Sequence, residues 1–243
     1  MPKTRVHGMN VLAFDTCLGA VSAAVRWKGA SGEWQVASRF EARAGGHAER
    51  LMPMIAEVME EAGLAFADLG RIAVTVGPGT FTGVRGGVAA ARGLALASGL
   101  PVVTATSLAV MAQGAREQLQ GRDAHPLAVA VDARRGMVYL EIFDAAPPRP
   151  TQVPLLLAYA EAGALVGDRR AVVVGSGAAA VADAIAEAGG QSEACLTELQ
   201  PDARSLMALA EDLTPVHSVR PLYLRAPDAK PQEGHSLMRV SPP

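Results

Sequence analysis

The stretch VTVGPGTFTGVRGGVAAARGLALASGLPV, at residues 74–102, constrains the fold more than any other part of the sequence. It predicts a strand, a glycine-rich bend, a helix from about Phe81 to Ser98, a glycine stop and a second strand. The helix carries small or apolar residues on every face, and a helix of this kind is buried on most sides. One face should pack on a sheet, while small residues on a second face allow another helix backbone to come close.

Three strands and a helix precede this stretch. The strands are predicted at residues 10–16, 19–27 and 34–41 as an antiparallel meander, and the helix is expected to end at Gly63. The order βββαβαβ, followed by a second α/β half, resembles the plan of the actin-like ATPase superfamily. We therefore expect an α/β fold with two lobes, each with a mixed sheet flanked by helices.

The lobes are expected at residues 9–105 and 106–226, with tails at residues 1–8 and 227–243. The helices and strands predicted for the second lobe lie at 107–120, 126–133, 137–143, 171–175, 178–188 and 203–213.

The first long helix, within HAERLMPMIAEVMEEAGL, has an amphipathic pattern. Residues at i, i+3 and i+4 spacing predict the core-facing stripe Ala48, Leu51, Met52, Ile55, Met59 and Ala62. Met54 and Val58 are then expected near the more polar side, where methionine suits an adaptable contact surface. Pro53 predicts a late start or a kink.

The glycine-rich bend GPGTFTG has two interpretations. Free N–H groups at a helix start attract anions, so the bend and the turn after the first strand are candidates to face phosphate. The candidate set is Asp15, Thr16, Gly77, Gly79, Thr80, Thr82 and Gly83. A capped strand-to-helix turn without a ligand fits equally well, and no G-K-[ST] follows, so the bend is not a Walker A loop.

Composition disfavours several classes of protein. The net charge of −2 and 4% aromatic residues weigh against a stand-alone RNA-binding module. Cys17 and Cys195 have neither disulfide-framework nor zinc-site spacing and suit a reducing compartment. No apolar run reaches the roughly 18–20 residues of a membrane span. We expect a cytoplasmic protein without a membrane association.

The sequence predicts no catalytic residues and no metal site. A metal-binding helix would carry two histidines one turn apart, but His47 is followed at i+4 by Leu51. The alternative is an active enzyme of the same superfamily. It would be either a small-molecule kinase that uses Asp15 and Asp132 or a metal-dependent, glycopeptidase-like hydrolase.

Three motifs, LAFDT, GPGTFTGVRGGVAAARGLA and PLYLRAPDAK, resemble the TsaB (YeaZ) family. Its members are dimerisation subunits of the bacterial system that makes threonylcarbamoyladenosine (t6A) in tRNA. The resemblance implies a non-catalytic subunit whose partner, TsaD, modifies N6 of adenosine 37 in tRNAs reading ANN codons. TsaD carries an H-x-x-x-H metal pair where this chain has HAERL.

The resemblance also implies how the chain assembles. TsaD is expected on the first two helices, the ATPase TsaE on the heterodimer, a second copy when the chain is alone, and tRNA only through the complex. No cofactor is expected to bind tightly, and ATP or ADP is considered only at the complex interface. The implied interface residues are His47, Leu51, Met54, Ile55, Val58, Arg85, Val88, Ala89, Arg92 and Leu96.

Overall fold

Residues 8–119, 125–144 and 150–225 are described by a computed structural model. The predicted tails therefore lie outside the described residues, apart from Gly8. The first sheet contains β1 (Val11–Asp15), β2 (Ala20–Lys28), β3 (Trp34–Ala42), β4 (Arg71–Thr75) and β5 (Val102–Ala105). Two helices, α1 (His47–Ala62) and α2 (Phe81–Ser98), and a 3-10 turn at Phe66–Asp68 complete this part of the chain.

The first sheet has the strand order β3-β2-β1-β4-β5. Its central strand β1 pairs antiparallel with β2 and parallel with β4. All residues of β1 and β4 are buried because helices cover both faces of the sheet. Leu12 and Phe14 pack in the cluster that contains α1 and α2, whereas Val11 and Ala13 pack in the cluster on the opposite face.

The second sheet has the order β10-β9-β6-β7-β8. Its strands are β6 (Leu127–Asp132), β7 (Met137–Phe143), β8 (Leu155–Ala158), β9 (Val172–Val174) and β10 (Glu193–Cys195). The remaining helices are α3 (Ser107–Gln118), α4 (Tyr159–Val166), α5 (Ala178–Glu187) and α6 (Ala203–Ala210). The sequence did not predict β8, α4 or β10. Within the described part of the chain, no helix has the length and apolarity to cross a membrane.

Helix α6 and the segment that follows it return to the first sheet. Helix α6 packs there, with Leu206 and Met207 in the same cluster as β1 and β4, and the N–H of Ala203 donates to the Ser22 hydroxyl at 2.9 Å. Further on, the Leu222 N–H donates to the Val76 carbonyl at 2.7 Å. Helix α6 and Leu222, which the prediction places in the second lobe, therefore contact the first lobe, while the bounds 9–105 and 106–226 stay a prediction.

Helix α1 is rotated about its axis relative to the prediction. Its buried residues are His47, Leu51, Met54, Ile55, Val58 and Met59. Met52, predicted in the core, is 46% exposed, and Met54, predicted near the polar side, is fully buried. Two methionines two residues apart lie on nearly opposite sides of a helix, so the spacing alone fits either orientation. The helix runs unbroken through Pro53 and starts at His47.

Candidate functional site

The glycine-rich bend is a capped helix start packed against the turn after β1. Thr80 is the N-cap residue of α2, and its hydroxyl oxygen accepts from the Gly83 N–H at 3.2 Å. The Thr80 N–H donates to the Cys17 carbonyl at 2.8 Å. The Thr16 hydroxyl donates to the Gly83 carbonyl at 2.6 Å. The last two bonds join the bend directly to the turn after β1, one between backbone groups and one from the Thr16 side chain to the Gly83 carbonyl.

The glycines of the bend are required by this contact. A Cβ at Gly79 would lie 2.2 Å from the Cys17 carbonyl oxygen, and a Cβ at Gly83 would lie 2.1 Å from that of Thr16. Both distances are far inside van der Waals contact. Gly77 has a φ of +107°, in a region that only glycine adopts without strain. The two loops touch too closely to admit a phosphate group between them.

Asp15 lies behind the bend and not in the cleft. Its side chain is 1% exposed, and Oδ1 accepts from the Thr75 hydroxyl at 2.8 Å and from the Cys17 N–H at 3.0 Å. Burial disfavours the carboxylate and raises the pKa of Asp15 to about 6. The side chains of Asp15 and Thr16 are therefore both held by internal hydrogen bonds, and their phosphate-facing roles stay predictions.

We expect Asp15→Asn to change how stability depends on pH. The folded-state pKa of about 6 exceeds the ordinary 3.8, so the folded protein holds this proton more tightly than the unfolded chain. The contribution of Asp15 to stability is then largest below about pH 4 and is lost as the pH rises through 6, by roughly 3 kcal/mol. Urea unfolding from pH 4 to 7.5 should show a smaller fall in stability for Asp15→Asn than for the parent. Identical pH profiles of stability for the two proteins would show that the buried Asp15 carboxyl does not hold its proton more tightly in the folded state.

A cavity of about 610 Å³ lies between the lobes. It is lined by the following residues: Leu18, Gly19, Arg43, Ala44, Gly45, Gly46, His47, Ala48, Glu49, Thr80, Thr82, Gly83, Val131, Asp132, Arg134, Ser176, Leu199 and Gln200. Of the two acids that a kinase would use, only Asp132 lines this cavity. Its Oδ1 accepts from the Tyr159 hydroxyl at 3.0 Å and from the Arg134 N–H at 2.8 Å.

Helices α1 and α2 lie side by side and expose small and apolar residues. They approach closely, since a Cβ at Gly86 of α2 would lie 3.2 Å from the Ala48 Cβ of α1. We define the outer face as the exposed positions Ala48, Met52, Ala56, Ala89, Gly93 and Leu96. Leu96 is 89% exposed, which is unusual for a leucine.

The structure divides the predicted interface residues into two groups. Ala89 and Leu96 belong to the outer face, and Arg85 and Arg92 are exposed beside it. The other predicted positions are buried within the chain and do not reach the surface: Leu51, Met54, Ile55, Val58 and Val88, with His47 at 9% exposure. Met52 and Ala56 were not predicted as interface residues. The sequence pattern placed Met52 in the core and gave no role to Ala56.

Arg85 and Arg92 hold Val219 and Tyr223 against α2. The Arg92 Nε donates to the Val219 carbonyl at 2.8 Å. The Arg85 Nε donates to the Tyr223 hydroxyl at 2.9 Å, and its guanidinium lies 3.8 Å from the centroid of the Phe81 ring. Periodicity of α2 gave no signal for the contacts with Val219 and Tyr223, because these partners lie more than 120 residues away in sequence.

The chain is similar to proteins that are named for threonylcarbamoyladenosine in tRNA. A family model described as "TsaD: tRNA N6-adenosine threonylcarbamoyltransferase" matches residues 41–144. The Escherichia coli "tRNA threonylcarbamoyladenosine biosynthesis protein TsaB" is 37% identical over 131 residues, which are 54% of this chain and 53% of that protein. The chain thus matches about half the length of this curated relative.

Two further matches extend along nearly the whole chain. An uncharacterised protein of Mycobacterium tuberculosis is 32% identical over 228 residues, which are 94% of this chain and 97% of that protein. The solved structure "YeaZ from Pseudomonas aeruginosa" is 27% identical, has a TM-score of 0.70, and covers 89% of this chain and 100% of that one. The predicted two-lobe, actin-like α/β fold is confirmed, and the chain belongs to the TsaB (YeaZ) family.

Proposed function

We propose that this chain is a non-catalytic subunit of the t6A system. In this proposal it binds the catalytic subunit TsaD and supports threonylcarbamoyl transfer to N6 of adenosine 37 in tRNAs reading ANN codons. The printed names of the TsaB relatives support a role in t6A biosynthesis. The TsaD family model matches residues 41–144, a range that contains both α1 and α2, so the two proteins share the helix pair through which they would dock.

The observation that carries the proposal is the outer face of α1 and α2. A partner that covers exposed apolar side chains such as Met52 and Leu96 removes them from water, which stabilises the complex. Small residues such as Ala89 and Gly93 let a partner helix approach closely. A related helix pair on TsaD would complete a four-helix arrangement around this face.

The first turns of α1 also support a non-catalytic role. Leu51 stands where the second histidine of a metal pair would be, and it is 1% exposed in the apolar core. The side chain at this position packs the lobe and presents no ligand atom. Among residues 8–119, 125–144 and 150–225, no group of three or more His, Cys, Asp or Glu side chains is placed to hold a metal ion.

The remaining assembly follows the same proposal. TsaE docks on the heterodimer, and ATP or ADP acts at the complex interface. The chain forms a homodimer when alone and meets tRNA only through the complex, in the cytoplasm.

We expect t6A formation in a reconstituted mixture to require this chain. The mixture contains TsaD, TsaE, the enzyme that makes threonylcarbamoyl-AMP, ATP and unmodified tRNA, and mass spectrometry counts t6A with and without the chain. The chain alone should modify no tRNA, turn over no ATP and carry no stoichiometric metal after purification. Unchanged t6A when the chain is omitted would refute the proposal. ATP turnover or tightly held metal in the chain alone would instead favour the kinase or hydrolase alternative.

A further inference from the structure

Two arginines of α2 bind a segment from much later in the chain. Arg85 and Arg92 lie two turns apart on one side of this helix. Their guanidinium groups donate to neutral acceptors, the Tyr223 hydroxyl at 2.9 Å and the Val219 carbonyl at 2.8 Å. Because a hydroxyl and a carbonyl carry no net charge, both guanidinium groups keep their full positive charge.

This segment and the turn between β6 and β7 add three more arginines. Arg220 is exposed and directly follows Val219. The Arg225 Nη2 donates to the Arg134 carbonyl at 3.4 Å, which brings the turn next to the segment. We define the arginine array as Arg85, Arg92, Arg134, Arg220 and Arg225. None of these five side chains forms an ion pair with any residue that the structure describes.

Carboxylates are scarce in the sequence around the array. No Asp or Glu occurs at residues 69–116, which contain α2, or at residues 213–225. Asp132 lies two residues from Arg134, and its Oδ1 accepts from the Tyr159 hydroxyl at 3.0 Å. The array therefore gives this surface a local excess of positive charge, although the whole chain has a net charge of −2. Such a surface attracts an anionic partner.

Exposed aromatic rings lie within the array. Phe81 and Tyr223 stack with their ring centroids 5.8 Å apart, and they are 51% and 44% exposed. The Arg85 guanidinium packs on this pair, 3.8 Å from the centroid of the Phe81 ring. Cations beside exposed rings are typical of sites for unpaired nucleic acid, because the cations contact phosphates while the rings stack on bases. A site for an acidic protein surface would not require the rings.

We propose that the arginine array binds the sugar-phosphate backbone of RNA, with an unpaired base on the rings of Phe81 and Tyr223. The inference rests on the proposed function, since the RNA is then the tRNA that reaches the complex. It names the surface through which this subunit contacts that tRNA. Arg220 and Arg225 belong to neither helix of the outer face, so TsaD and tRNA occupy neighbouring surfaces. One array of this size adds to the affinity of a complex and does not make the chain a stand-alone RNA-binding module.

Binding of unmodified tRNA to the heterodimer of this chain with TsaD tests the array, by fluorescence anisotropy at several KCl concentrations. The double variant Arg220→Gln with Arg225→Gln removes two charges outside the outer face. It should bind tRNA about ten-fold more weakly, and the slope of log affinity against log salt should fall by about 1.5. Tyr223→Leu should weaken binding by about five-fold without changing this slope, since it removes stacking and no charge.

Arg169→Gln is the matched control, because Arg169 is exposed and follows α4 in the second lobe. It should leave the tRNA affinity and the salt slope unchanged, and an equal loss in this control would show that only net charge matters. Unchanged affinity and slope in the double variant would overturn the array as an RNA site. If Arg225 proves necessary for folding, Arg220→Gln alone still decides, because Arg220 is exposed.

The same titrations separate RNA from an acidic protein surface. Weaker binding of the double variant to TsaD, with unchanged tRNA affinity, would assign the array to the partner protein and overturn the RNA site. The proposed function is judged separately, on the parent chain. Failure of the parent chain to form a heterodimer with TsaD would refute that function before any arginine is changed. A parent heterodimer that makes t6A leaves only the array to be decided by the variants.

Discussion

We expect Gly83→Ala to lower the free energy of unfolding by about 3 kcal/mol. The added Cβ would lie 2.1 Å from the carbonyl oxygen of Thr16 and 2.6 Å from the hydroxyl oxygen of Thr80. The first of these atoms belongs to the backbone of the turn after β1, which cannot rotate away as a side chain could. Relief of the clash must therefore separate the bend from that turn and weaken the bond from the Thr16 hydroxyl to the Gly83 carbonyl.

Gly93→Ala is the matched control in the same helix. A Cβ at Gly93 would meet no atom within 4 Å. Alanine is the better helix former, so this variant should gain roughly 0.5–1 kcal/mol. Urea denaturation followed by circular dichroism measures both variants. Equal changes of the same sign would show that helix propensity, and not contact with the turn, determines the effect of alanine at position 83.

The bend also shows what sequence could predict and what it could not. The bounds of α2 follow from local signals, since Thr80 caps the helix and Gly99 ends it in a left-handed conformation. The same signals were compatible with a phosphate loop. Only the distance from Gly83 to Thr16, 67 residues apart in sequence, decides that the glycines serve a backbone contact.

The orientation of α1 was not determined by its sequence. Met52 and Met54 are equally apolar, and α1 buries Met54 because the neighbouring Leu51, Ile55 and Val58 contact the first sheet together with it. The short elements β8, α4 and β10 were missed because strands and helices of this length carry little periodicity. Contacts between distant segments, such as Arg92 with Val219, leave no local pattern at all.

We expect Ala89→Trp to weaken binding to TsaD by at least about 30-fold, which corresponds to roughly 2 kcal/mol. Ala89 is exposed on the outer face of α2, so the indole is accommodated in solvent and the fold is kept. In the heterodimer it would occupy the space that a partner helix needs for close approach, and overpacking of this kind is costly. Calorimetric titration with TsaD gives the affinity, and the reconstituted mixture gives the loss of t6A.

Ala186→Trp provides the control, because Ala186 is exposed on α5 in the second lobe. Both tryptophan variants should unfold within about 0.5 kcal/mol of the parent, as substitutions at exposed positions usually do. If only Ala89→Trp loses binding to TsaD, the loss reports on the outer face and not on folding. Gly83→Ala, in contrast, should reduce binding only because less of the protein is folded. Full-strength binding by Ala89→Trp would show that TsaD docks elsewhere, and the exposed Leu96 would need another explanation.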